Sequence, residues 1–388
     1  MNCCDEFERY YGVNPDGEVF CPYRICPLGA HTDHNHGLVT GFALNEGVTV
    51  AYSACESGMI TVKSAQFNTE EKWSTDSVPE IKQNDWADYL RGATAELKKE
   101  HTLFCGLRVF INGSFASGGL SSSAAVTLAF LNALCRVNNI NLNEKGYIRT
   151  AQNAERNYVR VMCGTLDQSC EMLCRKGKLL FLDTLDGSYE NIDAGKGMKQ
   201  FETGIFFSGS GHKLAGSKYN MRADELKSAA YALKAYAGIE YGRFEETFMR
   251  DVDRDVFDSY KNRLPDSFRK RAEHWFGEYE RVKSGVRAWK DGDIGRFGEL
   301  VNQSGRSSVE LWETGSEELT ALTEILSHTD GVYGARFSGA GFGGCCIALT
   351  DTGKREEISF KVKKEYSRLF PQSELSVTFC NSGDGMKI

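Results

Sequence analysis

The chain predicts an α+β protein in two parts, and three observations carry that expectation. Its 388 residues exceed what one hydrophobic core usually serves. Strand-like and helix-like patterns alternate through the first half. A polar, glycine-bearing stretch from Asp186 to Gly204 then precedes a second half rich in charged amphipathic helices. The two parts are expected as residues 1–200 and 201–388.

The elements follow in order. β-Branched and aromatic residues predict strands at Val48–Tyr52, Ile60–Val62 and Leu107–Ile111. Apolar residues at helical spacing predict helices around 124–137 and 147–162. Leu179–Leu182 reads as a short buried strand. Helices occupy much of the chain between about 217 and 327. Strand-like segments close it at Gly334–Phe337, Cys345–Leu349 and Leu375–Phe379. There is no internal repeat and no low-complexity tract.

Composition removes several classes of function. The net charge of −7 is spread along the chain, which argues against nucleic acid as the main partner. No apolar run approaches the roughly 20 residues of a membrane span. The segment Met1–Glu6 has neither a basic nor an apolar leader region, so a cytoplasmic protein is expected. Thirteen cysteines, an odd number with no CxxC pair, suit reduced thiols better than disulfides or zinc. Cys170 and Cys174, four apart on a helix, are expected to be buried small residues.

Four segments could carry chemistry. Gly118-Gly119-Leu120-Ser121-Ser122-Ser123 opens onto an apolar helix. Its glycines let backbone N–H groups close on an anion, its hydroxyls can donate to phosphate or ligate a metal, and the helix N-terminus favours negative charge. A plain Ser/Gly turn capping a buried helix is the competing reading. No Gly-Lys-[Ser/Thr] triplet exists, so a P-loop nucleotidase is excluded.

Pro22–Gly37 gathers His31, His34 and His36 beside Asp33. His31, Asp33 and His36 could ligate a metal. A loop whose short polar side chains meet sugar hydroxyls fits better, and a solvated loop is the plain alternative. Glu155 and Asp167 are paired acids twelve residues apart, the second just after the turn at Gly164. One could hold Mg²⁺ and the other face a substrate hydroxyl, while a helix N-cap is the ordinary role for Asp167. Finally, Gly339, Gly341 and Gly344 match GxGxxG, but a strand follows where dinucleotide binding needs a helix. A glycine bend allowing close backbone approach to a ligand or to the first loop is expected instead.

In this order, these segments resemble the three signature motifs of the galactokinase, homoserine, mevalonate and phosphomevalonate (GHMP) kinase superfamily. Arg24…Gly29-x-His31-Thr32-Asp33-x-Asn35 points to the galactokinase branch. The resemblance runs from residue 22 to about 346. It implies an N-terminal domain of mixed sheet and helices, a C-terminal domain with a ferredoxin-like sheet, and an active site in the cleft between them. ATP would lie on Gly118–Ser123, with Mg²⁺ near Ser123 and Glu155 and the adenine near Trp86. Asp167 would face the anomeric hydroxyl with Arg24 beside it, and His31, Asp33, His34, Gly164 and Tyr219 would join the sugar site. Asp167 would then receive the hydroxyl proton, and Arg24 would offset charge on the transferring phosphoryl group.

One departure bears on the substrate. Galactokinases resemble one another in having Glu where this chain has Ala30, and that Glu meets the C6 hydroxyl of galactose. A Glu 4 Å from a C6 carboxylate would cost about 4 kcal/mol at an effective dielectric near 20. Ala30 removes that repulsion and opens volume, and His34 replaces the usual Tyr. The loop closely resembles that of the galacturonokinases, implying ATP-dependent phosphorylation of galacturonate at C1. Arg222, Lys218 and Lys213 are the candidate cations for the uronate. A neutral-sugar kinase, a catalytically silent sugar sensor and a zinc hydrolase are the alternatives. Oligomeric state has no signature in the sequence.

Overall fold

The computed structural model describes residues 2–114, 118–209 and 216–388. Helix α1 (Cys3–Tyr11) precedes β1 (Gly17–Ile25) and the long β2 (Leu38–Cys55). Next come β3 (Met59–Ser64), β4 (Glu70–Ser74), α2 (Asp88–Glu100) and β5 (Gly106–Gly113). Then α3 (Ser122–Val137), α4 (Glu144–Asn153) and α5 (Leu166–Leu173) lead to β6 (Lys178–Asp183) and β7 (Ser188–Asp193). These strands form one sheet in the order β4-β3-β5-β2-β6-β7, and β1 also pairs with β2. β2 is long enough to serve two neighbours: Val48–Cys55 pairs with β5 and Leu38–Gly41 with β6.

The second sheet begins at β8 (Phe201–Phe207). Helices α6 (Gly216–Tyr236), α7 (Arg254–Tyr260), α8 (Asp266–Lys290), α9 (Ile294–Glu310) and α10 (Glu317–Ser327) separate it from β9 (Val332–Phe337). β10 (Cys345–Asp351), α11 (Arg355–Leu369) and β11 (Ser376–Cys380) complete it, in the antiparallel order β11-β8-β10-β9. That is the ferredoxin-like order. The short β12 (Ser382–Gly383) returns to pair with β2.

Helix α3 shows why the site is rigid. Apolar residues lie all round it, and Leu128, Leu131 and Leu134 are fully buried. Each such side chain stabilises the fold by about 1.5–3 kcal/mol. The helix packs on β1 and β2, so its N-terminus is fixed beside the end of β1.

The polar stretch 186–204 carries β7, the last strand along the first sheet's path, and the start of β8, the first strand of the second sheet. β7 is a sheet edge with mostly exposed side chains, so no apolar alternation marks it. The helix expected over 147–162 starts at Glu144, ends at Asn153 and continues as a π-helical turn over Ala154–Val159. Such turns cluster at functional sites. All thirteen cysteines are unpaired thiols, and Cys170 and Cys174 are buried. Among the described residues, no helix is long and apolar enough to cross a membrane.

Candidate active site

The end of β1, the loop after it, the N-termini of α3 and α5 and the β9–β10 turn converge on a cleft of about 510 Å³. At its centre Asp167 lies in the first turn of α5, with Thr165 at the N-cap position, so the ordinary capping role does not apply. Arg24 Nε donates to Asp167 Oδ1 at 2.8 Å, and Ser121 Oγ donates to Oδ2 at 2.6 Å. Arg24 Nη1 also donates to the Gly119 carbonyl at 3.1 Å. Burial pulls the Arg24 guanidinium down, but the Asp167 charge outweighs it and holds the arginine firmly protonated.

The two glycine-bearing loops touch through their backbones. A Cβ at Gly344 would fall 2.5 Å from the Gly118 carbonyl oxygen, and one at Gly119 would fall 2.8 Å from that of Ser338. Both glycines have positive φ, +101° and +94°. The 338–344 segment is therefore a glycine bend between strands β9 and β10, seated on the phosphate-type loop. Ser122 and Ser123 face the cleft, whereas Leu120 is buried and only its backbone belongs to the loop, accepting from Arg24 N at 3.3 Å.

Glu155 is carried on the π-helical turn, buried, and accepts from Gln168 Nε2 at 2.8 Å. Burial and the nearby Asp167 charge push it up to about 8. A dication would relieve that crowding of carboxylates, and Glu155 with the Ser123 hydroxyl is an all-oxygen donor set suited to Mg²⁺ once nucleotide oxygens fill the remaining positions. Glu171, one turn beyond Asp167, is fully buried and pushed well up by burial and by Asp167.

The histidine loop does not converge on a metal. His31 stacks on Trp312 at 5.5 Å, while His36 lies edge-on to Phe248 at 4.0 Å with Nδ1 3.2 Å from the Thr184 carbonyl oxygen. Ala30, His31, Asp33, Gly164 and Tyr219 line the cleft. Asp33 Oδ2 accepts from Leu166 N at 3.2 Å, and a Cβ on Gly164 would strike that carboxylate at 2.2 Å. Burial would raise Asp33, but the His34 imidazole, 3.8 Å away, and the Leu166 N–H hold it below its ordinary value.

Several expected residues lie elsewhere. His34 stands behind Asp33, packed against Tyr219 and Trp312 and outside the lining. Trp86 is also outside, stacked on Phe67 at 5.2 Å, whereas Tyr89, three residues on, does line the cleft. Arg222 is engaged by Glu225 at 3.2 Å and faces Glu313 at 3.9 Å, and Lys218 is exposed; neither lines the cleft. Lys213 falls outside the described residues.

Sequence reasoning missed Arg336 and the polar network behind Ala30. His274 lies 3.0 Å from the Ala30 carbonyl through Nε2 and 2.8 Å from Ser307 Oγ through Nδ1. Because the carbonyl only accepts, Nε2 carries the proton and Nδ1 receives the serine's. Burial lowers His274 to about 4, so it stays neutral. The signal for Arg336 was a lone charge in an apolar strand running into the glycine bend. For His274 there was none, since a histidine in a charged amphipathic helix looks solvated.

Comparison with known proteins gives the family of the chain. The N-terminal domain of GHMP kinases matches residues 88–175, the C-terminal domain 284–368, and the galactokinase galactose-binding signature residues 5–54. A galacturonokinase of Arabidopsis thaliana is 35% identical, covering 95% of this chain and 93% of that protein. A galactokinase of Thermotoga neapolitana is 31% identical over 95% of this chain and 99% of its own length. The crystal structure of Lactococcus lactis galactokinase complexed with galactose superposes with a TM-score of 0.89 at 26% identity, covering 99% and 98% of the two chains. The mevalonate kinase of Methanococcus jannaschii, at 16% identity, 0.63, and 95% and 98% coverage, shares the fold. The chain therefore belongs to the GHMP kinases and is an ATP-dependent sugar kinase of the galactokinase type.

Proposed function

We propose that the protein transfers the γ-phosphoryl group of ATP to the C1 hydroxyl of D-galacturonate, giving α-D-galacturonate 1-phosphate and ADP. The observation that carries the substrate reading is Ala30, whose methyl group lies in the cleft wall with no carboxylate of its own to repel an acidic sugar. The 35% identical galacturonokinase supports the same reading.

In this scheme the sugar rests against His31, Asp33, Gly164 and Tyr219, with His34 steadying Asp33 from behind. Burial keeps Tyr219 a phenol rather than a phenolate, so its hydroxyl can donate to the sugar. Asp167 takes the C1 hydroxyl proton as that oxygen attacks phosphorus and ADP leaves with the bridging oxygen's electrons. Arg24 and Ser121 fix the carboxylate's orientation, and Arg24 offsets negative charge on the transferring group. The N–H groups of the Gly118–Ser123 turn and the start of α3 take the phosphates, with Tyr89 on the cleft wall beside Ser123. Mg²⁺ held by Ser123 and Glu155 would neutralise phosphate charge.

A second reading, phosphorylation of galactose or a related neutral sugar, is favoured by the Thermotoga and Lactococcus likenesses. Steady-state ADP release with each sugar in turn separates the two. Galacturonate should give the higher kcat/KM, and galactose winning by about tenfold or more, 1.4 kcal/mol in transition-state terms, would end the uronate assignment.

A further inference from the structure

Among the described residues four Lys and Arg side chains line the cleft: Arg24, Lys82, Arg160 and Arg336. Three of them have evident partners or settings. Arg24 is bound to Asp167. Lys82 donates to the Val159 carbonyl at 3.0 Å, and Arg160, on the same turn, is exposed to solvent.

Arg336 differs. It is 1% exposed, yet no carboxylate among the described residues lies within 4.0 Å of it. Its Nε donates to the Phe337 carbonyl at 3.1 Å, Nη1 to Ser304 Oγ at 2.5 Å and Nη2 to Ser308 Oγ at 3.1 Å. These acceptors are neutral, and the three bonds leave part of the donor fork free. A buried charge held only by neutral dipoles is costly until an anion reaches it.

The guanidinium also belongs to the same hydrogen-bonded unit as Ala30. Ser304 donates to Glu278 Oε2 at 2.9 Å, and that oxygen accepts from the Gly29 amide at 2.7 Å. On the same helix Ser307 holds His274, which holds the Ala30 carbonyl. Arg336 is thus three hydrogen bonds, through Ser304 and Glu278, from the Gly29 amide beside Ala30. Glu278 is occupied by Arg281 Nε at 2.6 Å and stands behind Ser304, while Asp33 is engaged by Leu166 N. Neither carboxylate shields Arg336 from the cleft.

We propose that Arg336 determines specificity by forming the ion pair with the C6 carboxylate of the sugar acid, closed over the methyl group of Ala30. This rests on the uronate reading above. The guanidinium fork matches a carboxylate in a bidentate manner, and Ser304 and Ser308 fix its plane.

The test compares galacturonate, its uncharged C6 amide and galactose on the unmodified protein and on Arg336→Gln and Arg336→Lys. The unmodified protein should prefer the acid to the amide, and Arg336→Gln should lose about 100-fold in kcat/KM for galacturonate relative to galactose. Arg336→Lys should recover part of that ratio. If the unmodified protein does not prefer the acid to galactose, the uronate reading fails and this proposal with it. If it does, and folded Arg336→Gln keeps the same preference, only the role of Arg336 is overturned. Should neither variant fold by circular dichroism, a crystal structure with bound galacturonate decides. Carboxylate oxygens within hydrogen-bond distance of the guanidinium support the assignment, and a carboxylate placed elsewhere refutes it.

Discussion

The two ends of the cleft hold their arginines in opposite ways. At the transfer end Arg24 is bound directly to Asp167, and Ser121 closes the other carboxylate oxygen. At the Ala30 end Arg336 is held by two serine hydroxyls and a carbonyl, with its nearest acid, Glu278, one hydroxyl removed. The first arrangement is internally neutral and pre-positioned, which suits a group that must orient and receive a proton whatever sugar is bound. The second leaves positive charge for a ligand to complete. Transfer chemistry and substrate choice are thereby assigned to separate charges, and substitutions at the two ends should have separable effects.

The largest effect belongs to the transfer end. Asp167→Asn keeps the shape but removes the proton acceptor, and turnover of every sugar should fall by roughly 10²–10⁴-fold while nucleotide binding survives. Unchanged turnover would remove Asp167 from the chemistry. Next comes Ala30→Glu, which would neutralise Arg336 and set a like charge against a uronate. Its kcat/KM for galacturonate should drop about 100-fold more than that for galactose, as a ~4 kcal/mol repulsion at 4 Å allows. Equal losses for both sugars would mean that position 30 does not select.

A smaller effect tests the contact between the glycine loops. Gly344→Ala places a methyl 2.5 Å from the Gly118 carbonyl oxygen, so the KM for ATP should rise about tenfold with sugar selectivity intact. A change in selectivity instead would show that the two ends are mechanically coupled.

The smallest is a pH effect at His274. Its folded value, about 4, lies below the unfolded value near 6.5, so the neutral ring stabilises the fold fully above pH 6.5. That contribution is lost as pH falls from 6.5 toward 4. His274→Gln, which can still donate to the Ala30 carbonyl, should flatten the decline in melting temperature over that window by a few degrees, on the order of a 1 kcal/mol change. An identical decline in both proteins would contradict the assignment.

Much of the transfer end was legible because its residues are tied to local sequence signals. Gly118–Ser123 runs straight into an apolar helix, and Asp167 follows a glycine turn. Glu155 was legible as a residue but not in its setting, since nothing in the periodicity of 147–162 announces a π-helical turn. The Ala30 end was only half legible. Ala30 stands out against a family pattern, but what surrounds it is assembled from α8, α9 and β9, more than 240 residues away in the case of His274. Serines at 304, 307 and 308 look like an ordinary polar helix face until the fold turns them inward. Proximity in sequence to Tyr219 suggested Arg222 and Lys218 as uronate partners, but Arg222 answers to Glu225, and Lys218 to solvent.

Substrate choice is read most directly from a competition in one vessel: the unmodified protein, Mg·ATP, and galacturonate and galactose at equal concentration, with both sugar 1-phosphates followed by phosphorus NMR. With Ala30 and Arg336 selecting for the acid, the uronate ester accumulates first and predominates; galactose 1-phosphate forming first and in excess would refute that selection.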